Sequence, residues 1–181
     1  MKKLTTTIVM TLALVTGLVF SPSAMAQIGE KKAERKANKD TEDFRYEIEC
    51  VGNGAMGTYL VKVWSYSKKP TVATEQSKKN AVHGVIFKGF AGGGQGCVAQ
   101  KALASDPAIE EQKQAFFEDF FRDGGKYMKY VTVSNDGAVG EGDRLKIGKE
   151  YKIGVVVSVQ KDALRKDLEA AGVIKGLSSG F

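Results

Sequence analysis

Residues 151–159 read Tyr-Lys-Ile-Gly-Val-Val-Val-Ser-Val. Tyr151, Ile153, Val155, Val157 and Val159 occupy alternate positions, the period-two pattern of a strand with one buried face. Val156 adds apolar surface on the opposite side, so this strand is expected at the centre of a sheet. Moving toward the N-terminus, Leu145 to Gly148 predicts a short strand. Before it, Tyr127 to Ser134 alternates again, with Tyr127, Lys129, Val131 and Val133 on one side and Asn135-Asp136-Gly137 as its stop. Moving toward the C-terminus, a helix is predicted from about Lys161 to Ala171, with Leu164, Leu168 and Ala171 inward and Gly172 ending it.

The first half of the chain repeats this grammar. Phe44, Tyr46, Ile48 and Cys50 alternate with Arg45, Glu47 and Glu49; Gly52-Asn53-Gly54 turns; and Tyr59 to Tyr66 (YLVKVWSY) resumes the alternation. The two runs read as a hairpin. A helix is predicted from about Val72 to Phe87, with Ala81, Val82, Val85 and Ile86 on its apolar face and Lys78 and Lys79 toward solvent. Lys88 to Cys97 (KGFAGGGQGC) is too glycine-rich for regular structure and reads as a loop. Asp106-Pro107 then opens a second helix, the aspartate as cap and the proline at its first position. Its stripe of Ile109, Phe116, Phe117, Phe120 and Phe121 is expected in the core, and Gly124-Gly125 ends it.

The expected order is therefore ββααββα. Strand pairs alternating with helices suit an α+β two-layer sandwich: a mainly antiparallel sheet of about four to five strands with helices on one face.

Upstream of this domain lies an export signal. Lys2 and Lys3 precede the uncharged run Ile8 to Phe20, and Ser21-Pro22-Ser23-Ala24-Met25-Ala26 supplies a helix breaker and small residues at the recognition positions. The run is shorter than the roughly 20 residues of a membrane span. The expectation is a secretory signal over 1–26, cleaved between Ala26 and Gln27. A charged flexible leader over 27–43 and a single globular domain over 44–181 follow, in the periplasm or secreted, with no stable membrane span after cleavage. The full chain has 181 residues and a formal charge of +6. Loss of Lys2 and Lys3 lowers that charge to about +4, a dispersed surplus that suggests at most weak attraction to anionic envelope polymers or lipid head groups; export and the lack of a recognition motif argue against a nucleic-acid partner.

Cys50 and Cys97 both survive cleavage. In an oxidising compartment a disulfide between them is expected; buried free thiols or one reactive thiol are the alternatives. The glycine loop, with Phe90, Gly92, Gly93, Gly94 and Gln95, lacks the Lys-Ser/Thr ending of a phosphate loop and follows a helix rather than a strand, so it reads as a surface loop able to contact a partner. His83 is the only histidine. Its spacing implies no contact with Cys97, and the set makes neither a nucleophilic pair nor a metal site. Glu110, Glu111, Glu118 and Asp119 read as solvated helix residues. Trp64 and Tyr66 share one strand face, and Tyr59 the other. They form a possible aromatic surface, although packing is their expected role. No cofactor is expected.

Two stretches carry a family resemblance: Lys78 to Phe90 (KKNAVHGVIFKGF), and the valine-rich strand from Tyr151 followed by DALRKDLEAAGVIKGL to Leu177. With the leading hairpin they resemble small bacterial envelope domains of the LPP20, flagellar T-protein N-terminal and curli-secretion G-protein type. This chain has no lipidation cysteine at its cleavage point, and no functional residue carries over. The resemblance implies a non-enzymatic periplasmic accessory or assembly protein. The expected function is accordingly an exported scaffold that binds another envelope protein or a cell-wall polymer. The alternative is an enzyme, or an enzyme inhibitor, whose site the spacing hides.

Overall fold

The computed structural model describes residues 29, 31–32, 35–36, 44–93, 96–122 and 124–176. The expected signal peptide, together with Gly94 and Gln95, lies outside the described residues. Within 27–43, Gly29, Lys31, Lys32, Arg35 and Lys36 are described; they are helical and exposed.

Strand β1 (Tyr46–Asn53) and β2 (Tyr59–Ser67) form the expected hairpin, in register from Tyr46 opposite Ser65 to Asn53 opposite Tyr59, with a bulge between Cys50 and Gly52. Helix α1 (Pro70–His83) follows and continues into a wider π turn, Gly84–Lys88. Two short helices, α2 (Ile109–Gln112) and α3 (Gln114–Phe121), precede β3 (Val131–Val133), β4 (Arg144–Ile147), β5 (Glu150–Val159) and α4 (Lys161–Ala170).

β5 is the hub of the sheet. One of its edges pairs with β2 over its length, from Tyr59 opposite Val159 to Ser67 opposite Tyr151. Its other edge is shared end to end by β3, opposite Val157 to Val159, and β4, opposite Glu150 to Ile153. Every pairing is antiparallel. The alternating side chains of one sheet face, Val61, Val63, Ile153, Val155, Val157 and Val159, are buried in a single core with Val82, Val85 and Ile86 of α1, Phe117, Phe120 and Phe121 of α3, and Leu164 and Leu168 of α4. Among the described residues, the opposite face of the sheet carries no helix residue of that core. This is the α+β layering expected from the sequence.

Four local expectations are corrected. The helix opened by Asp106-Pro107 is two helices, because Lys113 leaves helical geometry at φ −114°, ψ 31°. The first of them begins at Ile109 with Ala108 as its N-cap, so Asp106 and Pro107 precede the helix; Asp106 accepts the Ala108 N–H at 2.9 Å in the turn before it. Lys126–Tyr130 is a 3₁₀ turn rather than strand, and β3 is only three residues long. Tyr127 and Tyr130, three apart, are both buried, which suits a three-residue turn. Lys79 is buried instead of facing solvent, while Ala171 is exposed instead of buried.

The π turn places the loop that follows it. A helix end leaves carbonyls without intrahelical partners. Here Val85 O and Ile86 O accept the N–H groups of Leu103 and Ala104 at 3.1 and 2.9 Å, and Phe90 pairs with Gln100, so residues 100–104 return to the end of the helix. Gly89 makes the return possible. It sits at φ +65°, and a Cβ there would fall 2.2 Å from the Gln100 carbonyl oxygen.

Candidate functional site

Three regions hold the side chains with chemical or binding potential. The first is the end of the molecule where the glycine loop meets the hairpin. Cys50 of β1 and Cys97 are joined by a disulfide with a Cα–Cα distance of 5.7 Å across 47 positions of sequence. The bond therefore ties the returning loop to the edge strand. The Cys97 thiol is consumed, which removes any nucleophilic pair with His83. Beside the disulfide is a cleft of about 260 Å³, lined by Cys50, Leu60, Phe90 and Gln100 and bordered by Met56 and Val98. Met56 at the hairpin tip is fully exposed and Val98 is 70% exposed. Phe90, expected in a contact loop, is buried: its ring meets Tyr59 edge-on at 5.1 Å, and its backbone pairs with Gln100. Gly92 and Gly93 are exposed on the loop itself.

The second region is a polar seam between α1 and the hairpin. Tyr46 and Ser65 are cross-strand neighbours, and each meets a polar residue of the helix. Asn80 Nδ2 donates to Ser65 Oγ at 2.8 Å. Tyr46 Oη lies 2.7 Å from His83 Nδ1, and His83 Nε2 lies 3.0 Å from Glu110 Oε1. A carboxylate only accepts hydrogen bonds. Nε2 must then carry the imidazole proton, and Nδ1 accepts the Tyr46 hydroxyl. Burial holds His83 below its ordinary pKa, outweighing the bond to Glu110 and that residue's charge, which act to raise it. Burial first, and the Glu110 charge second, push the Tyr46 phenol well above its ordinary value.

Aromatic side chains close around this chain of groups. Phe44 stacks on His83, and Phe87 and Phe121 flank the imidazole at 4.7 and 5.8 Å. Lys88 Nζ sits 3.8 Å from the centroid of the Tyr46 ring. Among the described residues the hydrogen-bond chain ends at the buried Tyr46 on one side and at the half-exposed carboxylate of Glu110 on the other. What it can do is hold one tautomer and fasten α2 to α1. Further along the seam, Gln76 Oε1 and Asn80 Oδ1 are buried without a hydrogen-bond partner.

The third region is the sheet face away from the helices. Trp64 and Tyr66 lie there, as the alternation in β2 requires, and both are half-buried. Trp64 Nε1 donates to Glu49 Oε1 at 2.9 Å, and Tyr66 Oη donates to Glu47 Oε1 at 2.5 Å. Lys152 binds both oxygens of Glu47 at 2.8–2.9 Å, and Lys62 pairs with Asp143 at 2.8 Å. The ammonium of Lys152 lowers the Glu47 carboxyl pKa, and the carboxylate in turn raises that of Lys152. Arg45 sits over Tyr66 at 4.8 Å and pairs with Glu150. The exposed Leu145 and Ile147 of β4 oppose Lys152 and Glu150 on the same face.

Sequence reasoning singled out the cysteines and the aromatic face. It took Glu110 for a solvated residue and missed its bond to His83. A usable signal existed: a lone histidine on the apolar side of a helix needs partners for two ring nitrogens. Nothing in the spacing names those partners, which lie 37 and 27 positions away.

Among the described residues no group of three or more His, Cys, Asp or Glu side chains could hold a metal ion, and no helix is long and apolar enough to cross a membrane. No family model matches the chain, and neither a curated protein nor a solved structure matches it.

Proposed function

We propose that this chain is an exported accessory or scaffold protein of the cell envelope, periplasmic after cleavage between Ala26 and Gln27, which binds another envelope protein without catalysing a reaction. The observation that carries this reading is the pair Met56 and Val98. Two exposed apolar side chains border one cleft, on a loop and a hairpin tip that a disulfide holds together. Large apolar side chains presented together on a rigid rim mark protein contact surfaces. The disulfide also fits an oxidising compartment. Phe44 covers the imidazole in the Tyr46–His83–Glu110 chain, and we assign that chain to the fold rather than to chemistry.

The test is photo-crosslinking in living cells, with a crosslinking amino acid placed at Met56, at Val98 and, as a control, at the exposed Glu118 of α3. The expected result is one adduct of the same mass from positions 56 and 98, identified as an envelope protein and absent from position 118. Adducts of equal pattern from all three positions would remove the support for this site. Retention of the chain in the cytoplasm would remove the reading altogether.

A further inference from the structure

Strand β1 is a long edge of the sheet. It pairs with β2 alone, and its residues make no other backbone–backbone hydrogen bond among the described residues. In an antiparallel pair only alternate residues turn their N–H and C=O groups toward the neighbour. The remaining groups of β1 therefore point outward. An unpaired row of this kind is a template for another extended backbone. Lysine and proline are the usual protection of such an edge, and β1 contains neither. Its one irregularity, between Cys50 and Gly52, lies near the far end and leaves Tyr46 to Cys50 in regular register.

The side chains along this edge say what would pair with it. Glu47 and Glu49 stand on the open face of the sheet. Glu47 is matched by Lys152. Glu49 is exposed and holds only the indole N–H of Trp64, because Lys62, opposite it across the hairpin, pairs with Asp143. The Glu49 charge is thus left for a cation on the outer side, and a lysine or arginine directly opposite supplies one. On the other face Ile48 is half-buried, packed on the core from one side, so an apolar neighbour completes its cover. Toward its end β1 reaches the cleft at Met56 and Val98, which Cys50 and Gly52 line with the exposed Val51 between them. Edge and cleft form one continuous surface. A second copy of the chain suits it poorly: pairing β1 with itself about Ile48 sets Glu47 against Glu49, and about Glu49 sets that residue against itself.

We infer that β1 receives an extended segment of a partner protein as an added strand, with a basic side chain opposite Glu49 and an apolar one beside Ile48. The inference rests on the protein contact proposed above and states how that partner binds.

The probe is the synthetic peptide acetyl-Val-Lys-Val-Lys-Val-Lys-Val-amide. One comparison peptide carries glutamate in place of lysine, and another keeps the composition but groups the lysines together, so that the alternation is lost. Each is titrated into the nitrogen-15-labelled mature protein, and amide hydrogen exchange is followed by NMR. The alternating lysine peptide should slow exchange at alternate amides between Tyr46 and Gly52. Both comparison peptides should bind about tenfold more weakly or worse. Glu49→Lys, a change at an exposed side chain, should weaken the lysine peptide about fivefold and improve the glutamate one. Unchanged exchange along β1 overturns the inference, as does equal binding of the grouped peptide or unchanged affinity in a folded Glu49→Lys protein. A concentration-dependent dimer protected along β1 also overturns it, by giving the edge to a second copy. Crosslinks from positions 56 and 98 beside a silent β1 would strike the added strand alone and leave the contact at the cleft standing.

Discussion

Phe44 lies nearly parallel to the imidazole of His83, with ring centroids 3.6 Å apart and planes 17° from each other, while its own backbone sits at φ +39°. A side chain other than glycine in that region costs about 1–3 kcal/mol. The contact that holds it there must outweigh the strain. Replacing the ring with a methyl group keeps the strain and removes the contact. Phe44→Ala is therefore expected to lower stability by about 2–4 kcal/mol. It also opens His83 to water, so the imidazole should titrate closer to its ordinary value. Chemical denaturation and an NMR titration of the single histidine check the two effects together.

Stability should depend on pH through the same imidazole. The folded-state pKa of His83 is held below the ordinary value of 6.5 by burial. A base whose pKa drops on folding contributes stability that is complete above its unfolded value and is lost as pH falls toward the folded one. Thermal unfolding should accordingly show a midpoint that is level near pH 7–8 and declines on acidification below about 6.5. His83→Gln should be less stable at pH 7.5 but lose less on going to pH 5. An equal decline in both proteins would assign the acid sensitivity to carboxylates elsewhere.

The disulfide closes a long stretch of chain. For a separation of 47 residues, chain-entropy reasoning gives a stabilisation of about 4 kcal/mol. Cys97→Ser, or reduction of the native protein, should lower the unfolding free energy by that order. The loss should appear in the denaturation midpoint measured with and without reductant. Proteolysis of the reduced protein is expected to begin in the glycine loop, where Gly92 and Gly93 are exposed.

Gly154→Ala places a methyl group within 3.0 Å of the Trp64 ring. The ring must lift, since the glycine belongs to the central strand and has little room to yield. A cost of about 1–3 kcal/mol is expected, with tryptophan emission shifted to the red as the indole leaves the sheet. A variant with native emission and native stability would contradict the packing of the ring over Gly154.

How far these features could be read from the sequence depends on the range of the interaction concerned. The strand Tyr151–Val159 and the hairpin before it were legible because alternation is local and the buried face is continuous. The same rule misread Lys126–Tyr130. Tyr127, Lys129 and Val131 alternate on paper, yet the buried pair Tyr127 and Tyr130 is spaced for a 3₁₀ turn, and a segment this short satisfies either period. Lys79 was misplaced because the amphipathic pattern of α1 is weak: the buried side of that helix includes Gln76 and also Asn80 and His83, polar residues whose partners, Ser65 and Tyr46, lie on the hairpin. The Cys50–Cys97 bond was expected from compartment and count. The Glu110–His83 bond and the packing of Trp64 over Gly154 depend on contacts that no periodicity encodes.

The position of β5 has one more consequence, which concerns time. This strand pairs with β2, β3 and β4, and among the described residues it is the last of five strands to be synthesised. Until it emerges, β1 and β2 form only a two-stranded ribbon, marginal in water on its own, and β3 and β4 have no partner at all. The chain is thus expected to stay loose during vectorial synthesis and to fold in one late step once residues 150–159 are free. A nascent chain arrested before Glu150 should remain protease-sensitive along its length, and a chain interrupted there has no sheet to finish.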